Sequence, residues 1–80
     1  MAKVTHESMI SREWHSKNGK WTVRIWNDDI SLIFVSDGYL SDWPTVYDDG
    51  RIVYDSPGFV PKYVRKIVAD MVHVIKTKSD

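Results

Sequence analysis

Cysteine is absent from this chain of 80 residues, which excludes a disulfide framework and a thiolate metal site. No stretch approaches the roughly eighteen consecutive apolar residues that a membrane-spanning helix needs. The amino end lacks the apolar segment of a signal peptide, and no Asn-x-Ser/Thr glycosylation sequon occurs. The sequence therefore predicts a single small domain over residues 1–80, located in the cytoplasm and with no contact to a membrane.

An excess of one charge sign is also missing, since eleven Lys and Arg balance eleven Asp and Glu. This balance disfavours a dominant nucleic-acid-binding function, which usually requires a basic domain. The charges are unevenly distributed, however, because residues 28–55 carry seven Asp against Arg51 alone. Aspartate favours turns, and most of these residues lie where turns are predicted.

The strongest local signal is Asn18-Gly19, a dipeptide that favours a two-residue type I′ hairpin turn. The resulting register pairs Glu13 with Arg24, and opposite charges directly across two strands support it. Alternation along the strands then separates two faces. One face is apolar apart from Arg12 and is predicted to be core, with Ile10, Trp14, Trp21, Val23 and Ile25. The other face carries Ser11, Glu13, His15, Thr22, Arg24 and Trp26.

Asp28-Asp29 predicts a second two-residue turn, which pairs Ile25 with Leu32. This register adds a third strand to both faces. Its predicted core-facing residues are Ile30, Leu32 and Phe34. Its predicted outward-facing residues are Ser31, Ile33 and Val35. Because residues 30–35 are apolar on both sides, the strand is expected to lie centrally in the sheet.

The second half of the chain predicts a loop over residues 39–44, a further hairpin over residues 45–55 and a helix from Pro61. The hairpin turn is either Asp49-Gly50 or a three-residue bulged turn over residues 48–50. In the helix, apolar residues recur with a period near 3.6. The predicted stripe is Val60, Val64, Ile67, Val68, Met71, Val74 and Ile75. The predicted fold class is α+β: an antiparallel sheet of about five strands, built from sequential hairpins, with one carboxy-terminal amphipathic helix packed on one face.

Motifs for catalysis and cofactor binding are missing. The sequence contains no nucleophile elbow, P-loop or dinucleotide fingerprint, and no recognisable metal-ligand spacing. Glu13 and His15 share a strand face, but an open, solvated face lacks the desolvated pocket that tunes acid–base groups. We therefore expect no enzymatic activity, no cofactor and no metal.

The sheet face that a single helix leaves uncovered is the leading candidate for function. Trp26, Ile33 and Val35 are predicted to lie together there, and a small domain rarely exposes such a patch without a use. We predict a non-catalytic module that binds either a protein partner or a second copy of itself through aromatic and arginine anchors. The candidate protein-binding residues are Trp26, Arg24, Ile33, Val35, Glu13 and His15. In the alternative, segment 37–55 folds over this patch.

Two other functions remain open. Single-stranded nucleic acid would stack a base on Trp26 while basic side chains approach the phosphates. The residues for this alternative are Lys17, Lys20, Arg24, Trp26, Lys62, Arg65 and Lys66. A DNA-mimicking inhibitor, of the kind that small phage accessory proteins provide, would instead use an acidic patch. The residues for that patch are Asp42, Asp48, Asp49 and Asp55, although the net charge of zero disfavours it.

Overall fold

The computed structural model describes residues 10–78, which form two antiparallel sheets and one helix. The elements are β1 (Ile10–His15), β2 (Thr22–Trp26), β3 (Ile33–Ser36), β4 (Ser41–Asp42), β5 (Thr45–Val46), β6 (Ile52–Val53) and α1 (Lys62–Lys78). Strands β1 to β4 pair in sequence order, and β5 pairs with β6 in a separate two-stranded sheet. The predicted α+β fold, with sequential hairpins and a terminal helix, is confirmed. Among the described residues, no helix combines the length and apolar character that crossing a bilayer requires.

The core lies between one face of the four-stranded sheet and α1. Its buried apolar residues are Trp21, Val23, Ile25, Ile33, Val35, Val60, Val64, Val68, Val72 and Ile75. The helix contributes residues spaced by three or four positions, which is the spacing of one helical face. Val72 is buried where the sequence pattern indicated Val74, which is 46% exposed. The prediction for Val74 is wrong because it lies about 100° around the helix from Ile75.

The predicted register of the first hairpin is confirmed over residues 12–15 and 22–25, including the pair of Glu13 with Arg24. The chain turns one residue earlier than predicted, because the Gly19 amide donates to the Ser16 carbonyl oxygen at 2.9 Å and this bond encloses Lys17 and Asn18. Gly19 follows with a φ of +75°. Asn18 does not have the positive φ that a type I′ turn requires, so the predicted turn type is wrong. Its side-chain oxygen instead accepts hydrogen bonds from the Ser16 hydroxyl (2.6 Å) and the Lys20 amide (3.0 Å).

A β-bulge at Ser11 changes the start of β1. The Ser11 hydroxyl donates to the Ile25 carbonyl oxygen (3.1 Å) and accepts from the Asp28 amide (2.7 Å). Ile10 consequently pairs with Trp26 and is 42% exposed. The prediction that Ile10 lies on the core face is therefore wrong, because a bulge shifts the alternation of side chains by one residue.

Arg12 lies on the core face of β1, which is an edge strand. Its Nε donates to Asp28 Oδ1 at 3.1 Å, so the guanidinium reaches an ionic partner instead of the apolar interior. Its place on an edge strand allows this outward contact. In such an arrangement the aliphatic part of the Arg12 side chain lies along the apolar surface, and its guanidinium lies at the edge of the sheet.

The connection between β2 and β3 is longer than predicted and begins one residue earlier. Asn27 and Asp28 have φ values of +57° and +52°, and the Asp29 amide donates to the Trp26 carbonyl oxygen at 2.9 Å. These are the features of a type I′ turn. A second turn follows, because the Leu32 amide donates to the Asp29 carbonyl oxygen at 2.8 Å. The predicted two-residue turn at Asp28-Asp29 is therefore wrong.

This longer connection moves the register of β3 by one residue, so that Ile25 pairs with Ile33. A shift of one residue exchanges the two faces of a strand. Ile33 and Val35 are accordingly fully buried in the core, and their predicted place on the uncovered face is wrong. Leu32 is 38% exposed and Phe34 lies on the uncovered face, against the prediction for both. Ile30 is partly buried against the core. The central position predicted for this strand is confirmed.

The predicted loop over residues 39–44 contains the short strand β4, which pairs Val35 with Asp42. In the hairpin of β5 and β6, the Tyr47 amide donates to the Arg51 carbonyl oxygen at 2.9 Å. This bond encloses residues 48–50, and Gly50 has a φ of +94°. Of the two turns left open by the sequence, the three-residue form is therefore the one present. Val46 and Ile52 of this hairpin pack against the core.

Asp42 is a buried acidic residue, with 1% of its surface exposed. Its two carboxylate oxygens accept hydrogen bonds from the Asp55 amide (3.0 Å) and the Ser56 amide (2.9 Å). The side chain thus ties β4 to the segment that follows β6. Its predicted place in an exposed acidic patch is wrong.

The register of β3 is tested by comparing Ile33→Ala with Leu32→Ala. We expect Ile33→Ala to lower the free energy of unfolding by about 2–5 kcal/mol, because it removes a fully buried side chain. Leu32→Ala should lower it by less than about 1 kcal/mol. Urea unfolding measures both, and Ile33→Val, with an expected loss of about 0.5–1.5 kcal/mol, serves if the alanine variant is unfolded. A larger loss at Leu32 than at Ile33 would contradict the register.

The role of Asp42 is tested by Asp42→Ala, with Asp48→Ala as the exposed control. Removing the buried carboxylate leaves two backbone amides without their acceptor. We expect a loss of about 2–4 kcal/mol in the free energy of unfolding. The control should change it by no more than about 0.5 kcal/mol. Similar losses in the two variants, measured by urea unfolding, would show that the two hydrogen bonds contribute little.

Candidate functional site

The sheet face opposite α1, which we call the open face, carries an aromatic cluster of Trp26, Phe34 and Trp43. The Trp26 and Trp43 rings are stacked, with centroids 6.0 Å apart and planes inclined by 26°. Phe34 contacts both rings, with centroid distances of 6.2 Å to Trp26 and 5.1 Å to Trp43. These distances lie within the range of about 4.5–7 Å over which aromatic pairs attract. The three rings therefore form one contact surface.

Each ring of the aromatic cluster comes from a different part of the sheet. Trp26 ends β2, and Phe34 lies in β3 opposite Arg24. Trp43 follows β4 directly, and the neighbouring Asp42 points to the buried side of the sheet. Since adjacent side chains of an extended strand point to opposite faces, Trp43 is directed to the open face. The buried hydrogen bonds of Asp42 thus position the last ring of the cluster.

The aromatic cluster is only partly covered by the chain itself. Trp26 and Phe34 are partly buried, whereas Trp43 is 49% exposed. Leu40 and Tyr39, in the turn between β3 and β4, are 65% and 94% exposed. Trp43, which belongs to segment 37–55, stacks on Trp26, so this contact agrees with the alternative in which that segment folds over the patch. The exposed side chains of Trp43, Leu40 and Tyr39 in this segment form a new apolar surface next to Trp26.

A charged cluster of Glu13, His15, Thr22 and Arg24 occupies the β1 side of the open face. Arg24 Nε donates to Glu13 Oε2 at 2.5 Å, and His15 Nε2 lies 3.5 Å from the same oxygen. The Thr22 hydroxyl lies 3.2 Å from His15 Nδ1. The hydrogen bond from Arg24 lowers the pKa of Glu13 below its usual value. A carboxylate with a lowered pKa is a poorer general base, and the hydrogen bond holds Arg24 beside Glu13.

The structure brings four of the six predicted protein-binding residues to the open face. They are Trp26, Arg24, Glu13 and His15. The sequence predicts Phe34 in the core and Trp43 in a loop, so two of the three aromatic residues of the cluster are absent from the predicted binding residues. The Trp43-Pro44 pair gave no periodic signal, and Phe34 required the correct register of β3.

The basic residues proposed for nucleic-acid binding do not form one surface with Trp26. Lys17 and Lys20 flank the turn between β1 and β2, and Trp26 lies six residues further along, about 20 Å in an extended strand. A second group is exposed on α1, which covers the opposite face of the sheet: Lys62, Arg65 and Lys66. Arg24 borders the aromatic cluster, but it is bound to Glu13.

The acidic patch is not assembled either. Asp42 is buried, and Asp49 lies 3.0 Å from the guanidinium of Arg51. Hydrogen bonds from the Arg51 backbone amide and side chain lower the pKa of Asp49. Asp48 and Asp55 remain exposed. Within residues 10–78, no three His, Asp or Glu side chains converge in an arrangement suited to a metal ion.

Comparison of the chain with known protein families, with curated proteins and with solved structures gives no significant match. No function is therefore transferred from a relative. The aromatic and charged clusters of the open face are the features from which we argue a function.

A double-mutant cycle tests whether the aromatic cluster acts as a unit. We expect Trp26→Leu and Trp43→Leu to couple by about 0.5–1.5 kcal/mol in the free energy of unfolding, since the two rings are stacked. A control cycle pairs Trp43 with Trp14, which packs against the core on the other side of the sheet. Those two substitutions should add to within about 0.5 kcal/mol. Equal coupling in both cycles, measured by urea unfolding, would contradict a specific Trp26–Trp43 contact.

Proposed function

We propose that this protein is a non-catalytic protein-interaction module that self-associates through its open face. The observation that carries the proposal is the aromatic cluster, whose outermost ring, Trp43, is 49% exposed. Trp is among the side chains that most often anchor protein interfaces. Trp26 and Phe34 support this ring from the sheet, so it is held in place before a partner arrives.

Burial of Trp43 would supply a useful part of the binding free energy. The exposed half of an indole presents on the order of 100 Å², and covering it is worth about 2–3 kcal/mol. Leu40, which is 65% exposed, extends the apolar surface. Such a gain is consistent with a reversible contact and falls short of an obligate interface.

The size of the open face also predicts weak association. Four strands of two to six residues, spaced by about 4.8 Å, give a surface of at most about 15–20 Å across. A standard interface covers about 800 Å² on each partner, so this face lies at the small end of the range. We therefore expect dimers with a dissociation constant in the micromolar range or weaker.

The charged cluster gives the contact an orientation. The Glu13–Arg24 ion pair lies beside the aromatic surface and is still partly exposed. Charged groups at the rim of an interface contribute more to partner choice and association rate than to affinity. A second copy presents the same acidic and basic groups, and can therefore offer each a complementary partner.

The geometry favours a protein ligand over single-stranded nucleic acid. The lysines are distant from Trp26 or lie beyond the helix, and Arg24 is bound to an acidic residue. The nucleic-acid alternative lacks a continuous basic groove around the aromatic rings. The DNA-mimic alternative loses support because Asp42 is buried and Asp49 is paired with Arg51.

Sedimentation equilibrium of the wild type and of Trp43→Ser tests self-association. We expect the wild type to dimerise within the range up to about 1 mM, where binding is worth about 4 kcal/mol. Trp43→Ser should raise the dissociation constant at least tenfold, because it removes the exposed anchor. Tyr63→Ser is the matched control, since Tyr63 is 52% exposed on α1 and away from the open face. It should leave the dissociation constant unchanged.

Two results would overturn the proposal. A wild type that stays monomeric over this concentration range would exclude self-association as the function. Equal weakening by Tyr63→Ser and Trp43→Ser would place the contact elsewhere. Titration with a single-stranded oligonucleotide at low salt separates the alternative, because such binding falls steeply as salt is raised.

A further inference from the structure

A cleft of about 290 Å³ lies between β6, the segment 56–58 and the first turns of α1. Its apolar lining includes Ile52, Pro57 and Val60, and its polar lining includes Tyr54 and Arg65. The helix side of the molecule holds this cleft, so it is separate from the open face. The inference drawn from it is independent of the proposed self-association.

Tyr54 contributes a buried hydroxyl that has no hydrogen-bond partner among residues 10–78. Buried polar groups in folded proteins are nearly always paired, so an unpaired one calls for an explanation. Burial raises the pKa of Tyr54 to about 12. The hydroxyl is therefore protonated near neutral pH and can donate a hydrogen bond to a ligand that enters the cleft.

Arg65 differs from the other three arginines of the chain. Arg12, Arg24 and Arg51 each form an ion pair with an acidic residue. Arg65 forms none with any residue between 10 and 78. Arg65 lines the cleft, and a guanidinium binds carboxylate and phosphate oxygens well.

Asp42 is the other charged group that acts on Tyr54. Its carboxylate opposes a negative charge at the Tyr54 hydroxyl, whereas Arg65 favours one, and the effect of Arg65 on the tyrosine pKa is the larger. Both oxygens of Asp42 are already occupied by backbone amides. One guanidinium and one neutral hydroxyl, close to an acidic residue, suit an anion with a single charge better than a doubly charged phosphate.

We infer that this cleft binds the carboxylate of a ligand with a small apolar body. The Tyr54 hydroxyl and the Arg65 guanidinium donate to the carboxylate oxygens, and the apolar lining contacts the body of the ligand. Charged hydrogen bonds of this kind are stronger than neutral ones. The same chemistry is present in a free organic acid and in the carboxy terminus of a polypeptide, so the experiment distinguishes these two sources.

The test is an NMR titration of the ¹⁵N-labelled protein with three probes. Hexanoate represents a free acid, and acetyl-Ala-Ala-Leu with a free carboxylate represents a polypeptide terminus. The same tripeptide with a terminal amide removes the negative charge. We expect saturable shifts confined to residues 52–65 with at least one carboxylate probe, and at least tenfold weaker binding of the amide. Tighter binding of hexanoate or of the tripeptide acid identifies the source.

Two variants and one control establish which groups bind the probe. Tyr54→Phe removes only the unpaired hydroxyl, and the melting temperature should therefore be unchanged or higher. Both Tyr54→Phe and Arg65→Gln should weaken carboxylate binding by about tenfold, a loss typical of a charged hydrogen bond. Lys66→Gln is the control, because Lys66 does not line the cleft and pairs with Asp70. It should change the affinity less than twofold.

Three results would contradict carboxylate binding in the cleft. Shifts that do not saturate by about 20 mM would mean that neither carboxylate probe has a site. Equal binding of the amide and the acid, or wild-type affinity in either Tyr54→Phe or Arg65→Gln, would show that the proposed donors do not hold the carboxylate. A dimerisation result for the open face affects none of these measurements.

Discussion

The register of β3 is the constraint on which the two surfaces of this sheet depend. Ile33 and Val35 face the valine-rich side of α1, so the next residue in the alternation, Phe34, must face away from it. The six-residue connection between Trp26 and Ile33 sets this register, because two non-glycine residues, Asn27 and Asp28, adopt positive φ and begin the turn one position early. A two-residue connection would have placed Phe34 under the helix and the two β-branched residues in water.

Core and candidate site are therefore linked through one strand. Phe34 contacts both indoles of the aromatic cluster, and its neighbours on each side are fully buried. The cluster is completed by Trp43, whose direction follows from the burial of Asp42 in β4. The packing of these buried neighbours therefore fixes the backbone positions that carry the rings of the open face. A preorganised anchor of this kind loses little side-chain entropy on binding.

The sequence predicts a strand register correctly where two independent patterns agree. It predicts the register of β3 wrongly, because the only pattern there fits both faces of the strand equally well. Asn18-Gly19 and the Glu13–Arg24 pair both indicate the register of the first hairpin, which the structure contains. In residues 30–35, both the even-numbered and the odd-numbered positions are mostly apolar. Alternation alone therefore does not indicate which set faces the core in β3. Three consecutive turn-forming residues, 27–29, then allow more than one connection. The bulge at Ser11 depends on a hydrogen bond to the amide of Asp28, seventeen residues away, which local patterns do not encode.

Several aspartates in the acidic segment 28–55 stabilise turns or pair with an arginine. Asp28 binds Arg12, and Asp29 accepts hydrogen bonds from the amide and hydroxyl of Ser31. Asp37 likewise accepts the amides of residues 39 and 40 at the next turn, and hydrogen bonds lower the pKa of all three carboxyls. A carboxyl with a lowered pKa in the folded state adds stability above its unfolded pKa, near 4, and loses it as the pH falls. Because so many carboxylates serve the turns, the local charge of this segment is weak evidence for an acidic binding surface. The two binding proposals therefore rest on other residues: Trp43, which is 49% exposed, and Arg65, which forms no ion pair within residues 10–78.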